Sequence, residues 1–139
     1  MKKSMLLNGP LSSVIAHMGH TDGLVIADAG LPIPVGPERI DLAVIRGLPG
    51  FLEVLRATVS EMQVERAVIA SEMVATSPQL YAAFRQVIEE TVQAQGAPIA
   101  LEMVPHEEFK RLSGKARAIV RSGECTAYAN VMLHSGVAF

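Results

Sequence analysis

The stretch GHTDGLVIADAGLPIP, residues 19–34, contains a short apolar run between two polar ends. The run, residues 24–26, does not alternate with polar residues and is bounded by Gly23 and Asp28. A continuous apolar run of this length is typical of a strand covered on both faces. The prolines that follow in residues 29–37 predict a loop, because proline lacks a backbone donor and restricts the residue before it. This stretch therefore predicts an interior strand that leads into an irregular connection.

The rest of the chain alternates strand-like and helix-like patterns. Further strands are predicted at 40–45, 67–70, 99–104, 118–120 and 131–133, and the period-two pattern of 99–104 places that strand nearer the sheet edge. Helices are predicted at 11–18, ended by a left-handed Gly19, from Pro49 onward, at 77–96 and at 106–112. Strands that alternate with helices predict an α/β fold, a three-layer α/β/α domain with a mostly parallel central sheet.

Composition limits the classes of function. A chain of 139 residues, half of them hydrophobic and with net charge −2, fits a single domain spanning residues 1–139. The scattered charges and few aromatic residues predict no nucleic-acid partner, since phosphate and base contacts need basic patches and stacking platforms. The mean hydropathy of +0.32 favours subunit association over a well-filled core alone.

Cysteine usage and hydropathy indicate the compartment. Cys125 is the only cysteine, so the chain cannot form an internal disulfide, and a reducing compartment fits best. The N-terminal MKKSMLLNGP resembles a signal peptide only briefly, because Asn8 interrupts its apolar run. No stretch approaches the roughly 18 apolar residues that a membrane span needs. We therefore expect a cytoplasmic protein with no membrane partner.

The order of elements sorts the polar residues into two groups. Ligands bind beyond the carboxyl ends of strands in open α/β sheets. Asp28, His106 and the RSGE segment at 121–124 each follow a predicted strand, so they are expected at one edge. His20 precedes its strand, and chain order does not place it at that edge.

Each candidate has a chemical and a structural interpretation. His20 is suited to acid–base chemistry at neutral pH, but a histidine after a helix also caps it or bonds a carbonyl group. Asp28 is suited to holding a hydroxyl group or to accepting amides in its own loop. A metal site formed by His17, His20 and Asp22 is disfavoured, because Gly19 interrupts the helical register between the histidines.

The remaining candidates are weaker by themselves. His106 is also consistent with a solvated helix start, and His134 with a hydrogen-bonded core residue. Cys125 lacks a neighbouring cation and is interpreted as inert. Tyr128 and Asn130 would face the same way in an extended segment and suit a polyol, although a packed tyrosine and a turn asparagine explain them equally well.

Three stretches carry a family resemblance. GHTDGLVIADAGLPIP, SEMQVE at 60–65 and IVRSGECTAYANVML at 119–133 occur in the order found in the D-ribose pyranase family, which is related to the fucose mutarotases. The chain resembles this family from end to end. The resemblance implies an enzyme that interconverts the β-pyranose and β-furanose forms of D-ribose without cofactor or metal. It also implies a homodecamer built from two pentameric rings.

The resemblance also implies roles for particular residues. His20 would be the acid–base residue, and Asp28, His106 and the segment Tyr128, Ala129 and Asn130 would hold the sugar. Thr126-Ala127 departs from the family pattern, in which a proline is expected before the tyrosine. Two alternatives stay open, a mutarotase for fucose or another monosaccharide and a non-catalytic sugar-binding module.

Overall fold

The computed structural model describes residues 1–139, which form six strands and five helices. The strands are β1 (Gly23–Ala27), β2 (Glu38–Asp41), β3 (Val64–Ala70), β4 (Ala100–Val104), β5 (Ala118–Arg121) and β6 (Val131–Ser135). The helices are α1 (Gly9–His17), α2 (Phe51–Val59), α3 (Glu72–Thr76), α4 (Pro78–Gln95) and α5 (His106–Ser113).

All six strands form one sheet in the order β2-β5-β1-β6-β3-β4. β5 pairs in parallel with β1 and β2, and β3 pairs in parallel with β4. β6 lies between β1 and β3 and is antiparallel to both. The mostly parallel sheet is confirmed, with one reversed strand in its interior, and β4 is an edge strand as its alternating pattern predicted.

Helices cover both faces of the sheet. Leu24 of β1 packs in one core with Phe51 of α2 and Phe84 of α4, and all three side chains are fully buried. Val25 of β1 packs on the opposite face in a second core with Phe109 of α5. Burying a side chain of this size contributes about 1.5–3 kcal/mol, so β1 is held from both sides. The three-layer α/β/α prediction is therefore confirmed.

The second strand was predicted at 40–45 but lies at Glu38–Asp41. The chain turns after Asp41 because the Asp41 carboxylate accepts a hydrogen bond from the backbone N–H of Ala43 at 3.1 Å. Val44 and Ile45 are then largely exposed, at 74% and 65% of their surface. The last residues of the apolar run that predicted a buried strand therefore lie on the surface.

Two helix predictions need correction, and one helix was not predicted. α1 ends at His17 with Met18 extended. Gly19 is not left-handed, and its N–H donates to Asp22 Oδ2 at 2.9 Å. α2 begins at Phe51 rather than at Pro49. The short helix α3 was not predicted from the sequence.

The longest helix matches its sequence signals. α4 has 18 residues, carries Pro78 in its first turn and is capped by Gly96 at φ 67°. No helix in the structure combines the length and the apolar character needed to cross a membrane.

Candidate active site

A cavity of about 490 Å³ opens at the carboxyl ends of the parallel strands. This volume lies within the roughly 300–1,000 Å³ of small-molecule sites. Its walls come from the loop after β1, the start of α5 and the loop after β5, with the lining residues Asp28, Ala29, Gly30, Leu31, Pro32, His106, Glu124, Cys125, Thr126, Ala127 and Tyr128. The sheet thus brings together the candidates that chain order placed at this edge.

Asp28 is fixed at the cavity by a reciprocal pair of hydrogen bonds with Asn130. The backbone N–H of Asp28 donates to Asn130 Oδ1 at 2.9 Å, and Asn130 Nδ2 donates to Asp28 Oδ2 at 2.8 Å. Asn130 is fully buried, whereas Asp28 is partly exposed. The other carboxylate oxygen of Asp28 accepts from the N–H of Gly30 at 2.9 Å. Asp28 therefore satisfies its own loop and also presents a charged acceptor to the cavity.

His106 enters the cavity from the first residue of α5. The Glu72 carboxylate accepts from the backbone N–H of His106 at 3.0 and 3.1 Å, which satisfies a helix N-terminus that has no cap from its own segment. This hydrogen bond to the backbone of His106 lowers the pKa of Glu72. The Nδ1 atom of His106 is buried and has no hydrogen-bond partner. Buried polar atoms are usually paired, so the unpaired Nδ1 marks His106 as a candidate functional residue.

Tyr128 completes the wall in a conformation that the sequence did not predict. Its φ of +63° is left-handed, so the segment up to Asn130 is turned rather than extended. The ring meets the His106 ring edge to face, with centroids 5.0 Å apart. Ala129 is fully buried behind it. Tyr128 and Asn130 thus act at different places, with Asn130 holding Asp28 and Tyr128 lining the cavity.

Glu124 organises the loop that carries Tyr128, a role that sequence reasoning missed. One carboxylate oxygen accepts from the N–H groups of Cys125 and Thr126, both at 3.0 Å, and the other from the N–H of Phe51 at 3.3 Å. Burial raises the pKa of Glu124, but these hydrogen bonds outweigh it, and the pKa lies below its usual value. The signal in the sequence was its position directly after a strand. For Glu72 there was no such signal, because it meets His106 from a separate helix.

His20 lies at the opposite edge of the sheet. It precedes β1, whose five residues span about 17 Å, whereas Asp28 follows that strand. Its Nε2 atom forms a hydrogen bond at 2.7 Å with Glu65 Oε2, and its side chain is 55% exposed. His20 is therefore neither a helix cap nor part of the cavity within its own chain.

The other histidines have structural partners. His134 is 8% exposed, donates from Nδ1 to the Thr21 carbonyl at 3.1 Å and accepts from Arg66 at 2.9 Å, which confirms the predicted hydrogen-bonded core histidine. His17 Nδ1 donates to the Ser13 carbonyl at 2.7 Å. His17 and His20 form no cluster of potential metal ligands with Asp22.

The cavity has the groups needed to bind a polyhydroxylated ring. The Asp28 carboxylate accepts hydroxyl hydrogens, the His106 ring lines the wall, and the Tyr128 hydroxyl both donates and accepts. The apolar parts of Leu31 and Pro32 supply a surface for the carbon skeleton. Imidazole is the side chain most often used for proton transfer, and His106 is the one histidine among the lining residues.

Comparisons with known proteins show the family of the chain. The sequence model of the RbsD / FucU transport protein family matches residues 1–138. Relatives named D-ribose pyranase in Pectobacterium atrosepticum and Aliivibrio salmonicida are 55% and 50% identical over 139 residues, with 100% of both sequences covered. The structure of Bacillus subtilis RbsD complexed with D-ribose is 40% identical, with 100% of both chains covered and a TM-score of 0.90. The fucose mutarotase of Streptococcus pneumoniae in complex with L-fucose is 26% identical, with 99% of both chains covered and a TM-score of 0.78. Matched along nearly its whole length, this chain belongs to the RbsD / FucU transport protein family.

Proposed function

We propose that the protein is a D-ribose pyranase, an isomerase that interconverts the β-pyranose and β-furanose forms of D-ribose. The observation that carries the proposal is the cavity in which Asp28, His106 and Tyr128 meet, on a chain 50–55% identical to relatives of that name. The fucose mutarotase is more distant, at 26% identity, so ribose is preferred over fucose.

The reaction needs proton transfer and little else. Opening the pyranose breaks the bond between C1 and the ring oxygen, removes the proton of the anomeric hydroxyl and adds one to the ring oxygen. The aldehyde then rotates, and the C4 hydroxyl attacks it with the reverse proton movements. A neutral imidazole takes the first proton and returns it as imidazolium, so one histidine serves both directions. A positioned group of this kind accelerates a reaction about 10²- to 10⁴-fold.

His20 is the acid–base residue of this proposal, and the cavity residues hold the sugar. Asp28, kept in place by Asn130, accepts hydroxyl hydrogens, and His106 and Tyr128 bind further hydroxyl groups. Ala129, fully buried between Tyr128 and Asn130 in the chain, belongs to the same sugar-holding segment. Ordered carboxylate and imidazole groups in a cavity restrict the open-chain aldehyde and so promote reclosure.

The distance between His20 and the cavity supports a site shared between subunits. His20 is exposed at one edge of the sheet, and the cavity is open at the other. We place His20 of one subunit over the cavity of its neighbour in a homodecamer of two pentameric rings. The apolar surface of the loop after β2 supports association, since Val44, Ile45 and Leu48 are 74%, 65% and 49% exposed.

Saturation-transfer NMR on D-ribose tests the activity directly. The protein should accelerate exchange between pyranose and furanose signals, and His20→Ala should abolish the acceleration. His17→Ala is the matched control, because His17 is an exposed histidine on the same segment whose ring bonds only a backbone carbonyl. Exchange at the uncatalysed rate with wild-type protein, or full acceleration by His20→Ala, would contradict the proposal.

Mixing two inactive variants tests the shared site. His20→Ala keeps an intact cavity, and His106→Ala keeps an intact His20. If each site takes residues from two subunits, denaturing and refolding the variants together restores activity at about one site in four. A mixture as inactive as its components would place the whole reaction in one chain, and a monomeric mass by light scattering would exclude the decamer.

We also place the enzyme in the cytoplasm. Cys125 is free and exposed, as is typical of proteins in a reducing compartment. Fractionation of cells that produce the protein, with Cys125 assayed for thiol reactivity, tests this assignment.

A further inference from the structure

Glu65 occupies an irregular position in β3. Along the β3–β6 pair, Val64 is paired with Ser135 and Arg66 with His134, so Glu65 is the extra residue of a β-bulge. A bulge bends its strand and re-aims the side chain of the extra residue, and bulges are frequent beside active sites. In a regular strand, Glu65 would have a cross-strand partner in β6. Its side chain instead contacts His20, which precedes β1 on the other side of β6.

The His20 ring has one polar contact within its own chain. Nε2 lies 2.7 Å from Glu65 Oε2, a distance typical of a strong hydrogen bond to a carboxylate. A carboxylate only accepts, so Nε2 carries the hydrogen of this bond. In the neutral ring, Nδ1 then has the free lone pair that can take a proton.

The backbone around His20 is fixed independently of Glu65. The N–H of Thr21 donates to the Ser135 carbonyl at 2.8 Å, and Ser135 Oγ donates to the Gly19 carbonyl at 3.0 Å. The N–H of Gly19 donates to Asp22 Oδ2 at 2.9 Å. These bonds determine where the His20 Cα lies but not how its ring is turned. Ring orientation is therefore the variable that the bond to Glu65 controls.

A glycine makes room for the Glu65 side chain. A Cβ atom at Gly136 would lie 3.2 Å from the Glu65 Cβ and 3.4 Å from its backbone nitrogen, closer than ordinary packing. Gly136 follows β6 directly, and its N–H donates to the Gln63 carbonyl at 2.9 Å. A side chain at this position would crowd the Glu65 Cβ, which would have to shift by a few tenths of an ångström.

From the bulge, the hydrogen bond and the space left by Gly136, we propose that Glu65 is a positioning residue for His20. It accepts a hydrogen bond from Nε2–H, fixes the ring and the tautomer, and leaves Nδ1 to exchange the proton with the sugar. This role rests on the function proposed above, in which His20 is the acid–base residue. The pair is half exposed in the isolated chain, and exposed ion pairs contribute little to folding, so we expect substitutions at Glu65 to leave the fold intact.

Two substitutions separate the acceptor from the rest of the side chain. Glu65→Ala removes the acceptor and should lower the maximal ribose exchange rate about 10- to 100-fold, the range seen when carboxylates that orient metal-bound histidines are removed. The sugar concentration at half-maximal rate should stay unchanged, because Glu65 does not touch the cavity. Glu65→Gln keeps an oxygen acceptor and should restore most of the rate. Glu90→Ala is the matched control, since Glu90 is a similarly exposed carboxylate paired with Arg56 on the helical layer.

The tautomer gives a readout that does not depend on activity. Solid-state ¹⁵N spectra of the full-length protein labelled at histidine, recorded above the titration range of imidazole, should show His20 protonated at Nε2. The His20→Ala variant assigns the signal, and Glu65→Ala should change it toward a tautomer mixture. Protonation at Nδ1 in the wild type, wild-type exchange by Glu65→Ala, or a Gln variant as slow as the Ala variant would overturn the inference. If wild-type protein fails to accelerate exchange while the Nε2–H signal depends on Glu65, the proposed function fails and the contact stands.

Discussion

Asn130→Ala should destabilise the protein by disconnecting β6 from the loop after β1. The variant loses both hydrogen bonds of the pair with Asp28 and leaves the backbone N–H of Asp28 without its partner. A buried unsatisfied donor costs about 1–3 kcal/mol, and a hydrogen bond to a charged group contributes about 1.5–3 kcal/mol. Because Asp28 is partly exposed, water replaces part of the hydrogen bond that its carboxylate accepts from Asn130. We therefore expect a loss of about 2–4 kcal/mol in the free energy of unfolding.

That loss is measurable by thermal unfolding. For a chain of this size, 1 kcal/mol corresponds to about 3–4 °C, so the melting temperature should fall by roughly 6–16 °C. Circular dichroism at a fixed protomer concentration measures the shift, because association makes melting temperatures concentration-dependent. Asp28→Asn is the control, since it retains the backbone N–H donor to Asn130 and an oxygen acceptor for the Asn130 amide. A fall of under about 2 °C for Asn130→Ala would refute the reasoning that this pair holds the loop.

Further predictions concern a close backbone approach and a partly buried carboxylate. Gly123→Ala would place a Cβ atom 2.5 Å from the Leu48 carbonyl oxygen and 2.7 Å from that of Ile45, so we expect a loss of about 1–3 kcal/mol in urea unfolding. At Gly23, the only close neighbour of an added Cβ is the flexible end of the Met132 side chain, at 2.3 Å, so Gly23→Ala should destabilise the protein less. Equal losses for both variants would contradict the distinction between backbone and side-chain neighbours. The lowered pKa of Glu124 means that its ionised form stabilises the fold above the ordinary carboxyl pKa and that this stabilisation is lost as pH falls through the folded-state value. The melting temperatures of wild type and Glu124→Gln should therefore differ at neutral pH and converge in acid, whereas a constant difference across that range would show that the charge of Glu124 is not involved.

The sheet was predictable because its interior strands are apolar on both faces. The LVI run of β1 and the AIV run of β5 have no polar residues for a solvent-exposed face, which favours strands covered on both sides. Asp28 and His106 lie at one edge because β1 and β4 run in the same direction: β6 is antiparallel to both β1 and β3, and β4 is parallel to β3. The ends of α4 were predictable from Pro78, which favours the first turn of a helix, and from Gly96, which favours a left-handed cap. Both preferences act within a few residues and so are visible in the sequence.

Contacts between distant segments were not predictable in this way. Glu72 reaches His106 across 34 positions and Glu124 reaches Phe51 across 73, and no local pattern marks either pair. The turned conformation of Tyr128 and the bulge at Glu65 depend on neighbouring strands rather than on their own residues. The roles of His20 and the cavity residues came from family resemblance, since the residues alone left His20 open between a cap and a proton-transfer group.

β6 runs antiparallel to β1, so it begins near the cavity and ends near the turn that carries His20. Asn130, just before it, holds Asp28 at the cavity, and Ser135, its last residue, holds the turn that carries His20. Each subunit thus has one cavity edge and one His20 edge. In a head-to-tail arrangement, a closed ring has as many complete sites as subunits, whereas an open row always has one unfilled cavity and one unused histidine. Specific activity would then increase with protein concentration until the rings close, and dilution would switch off catalysis before any subunit unfolds.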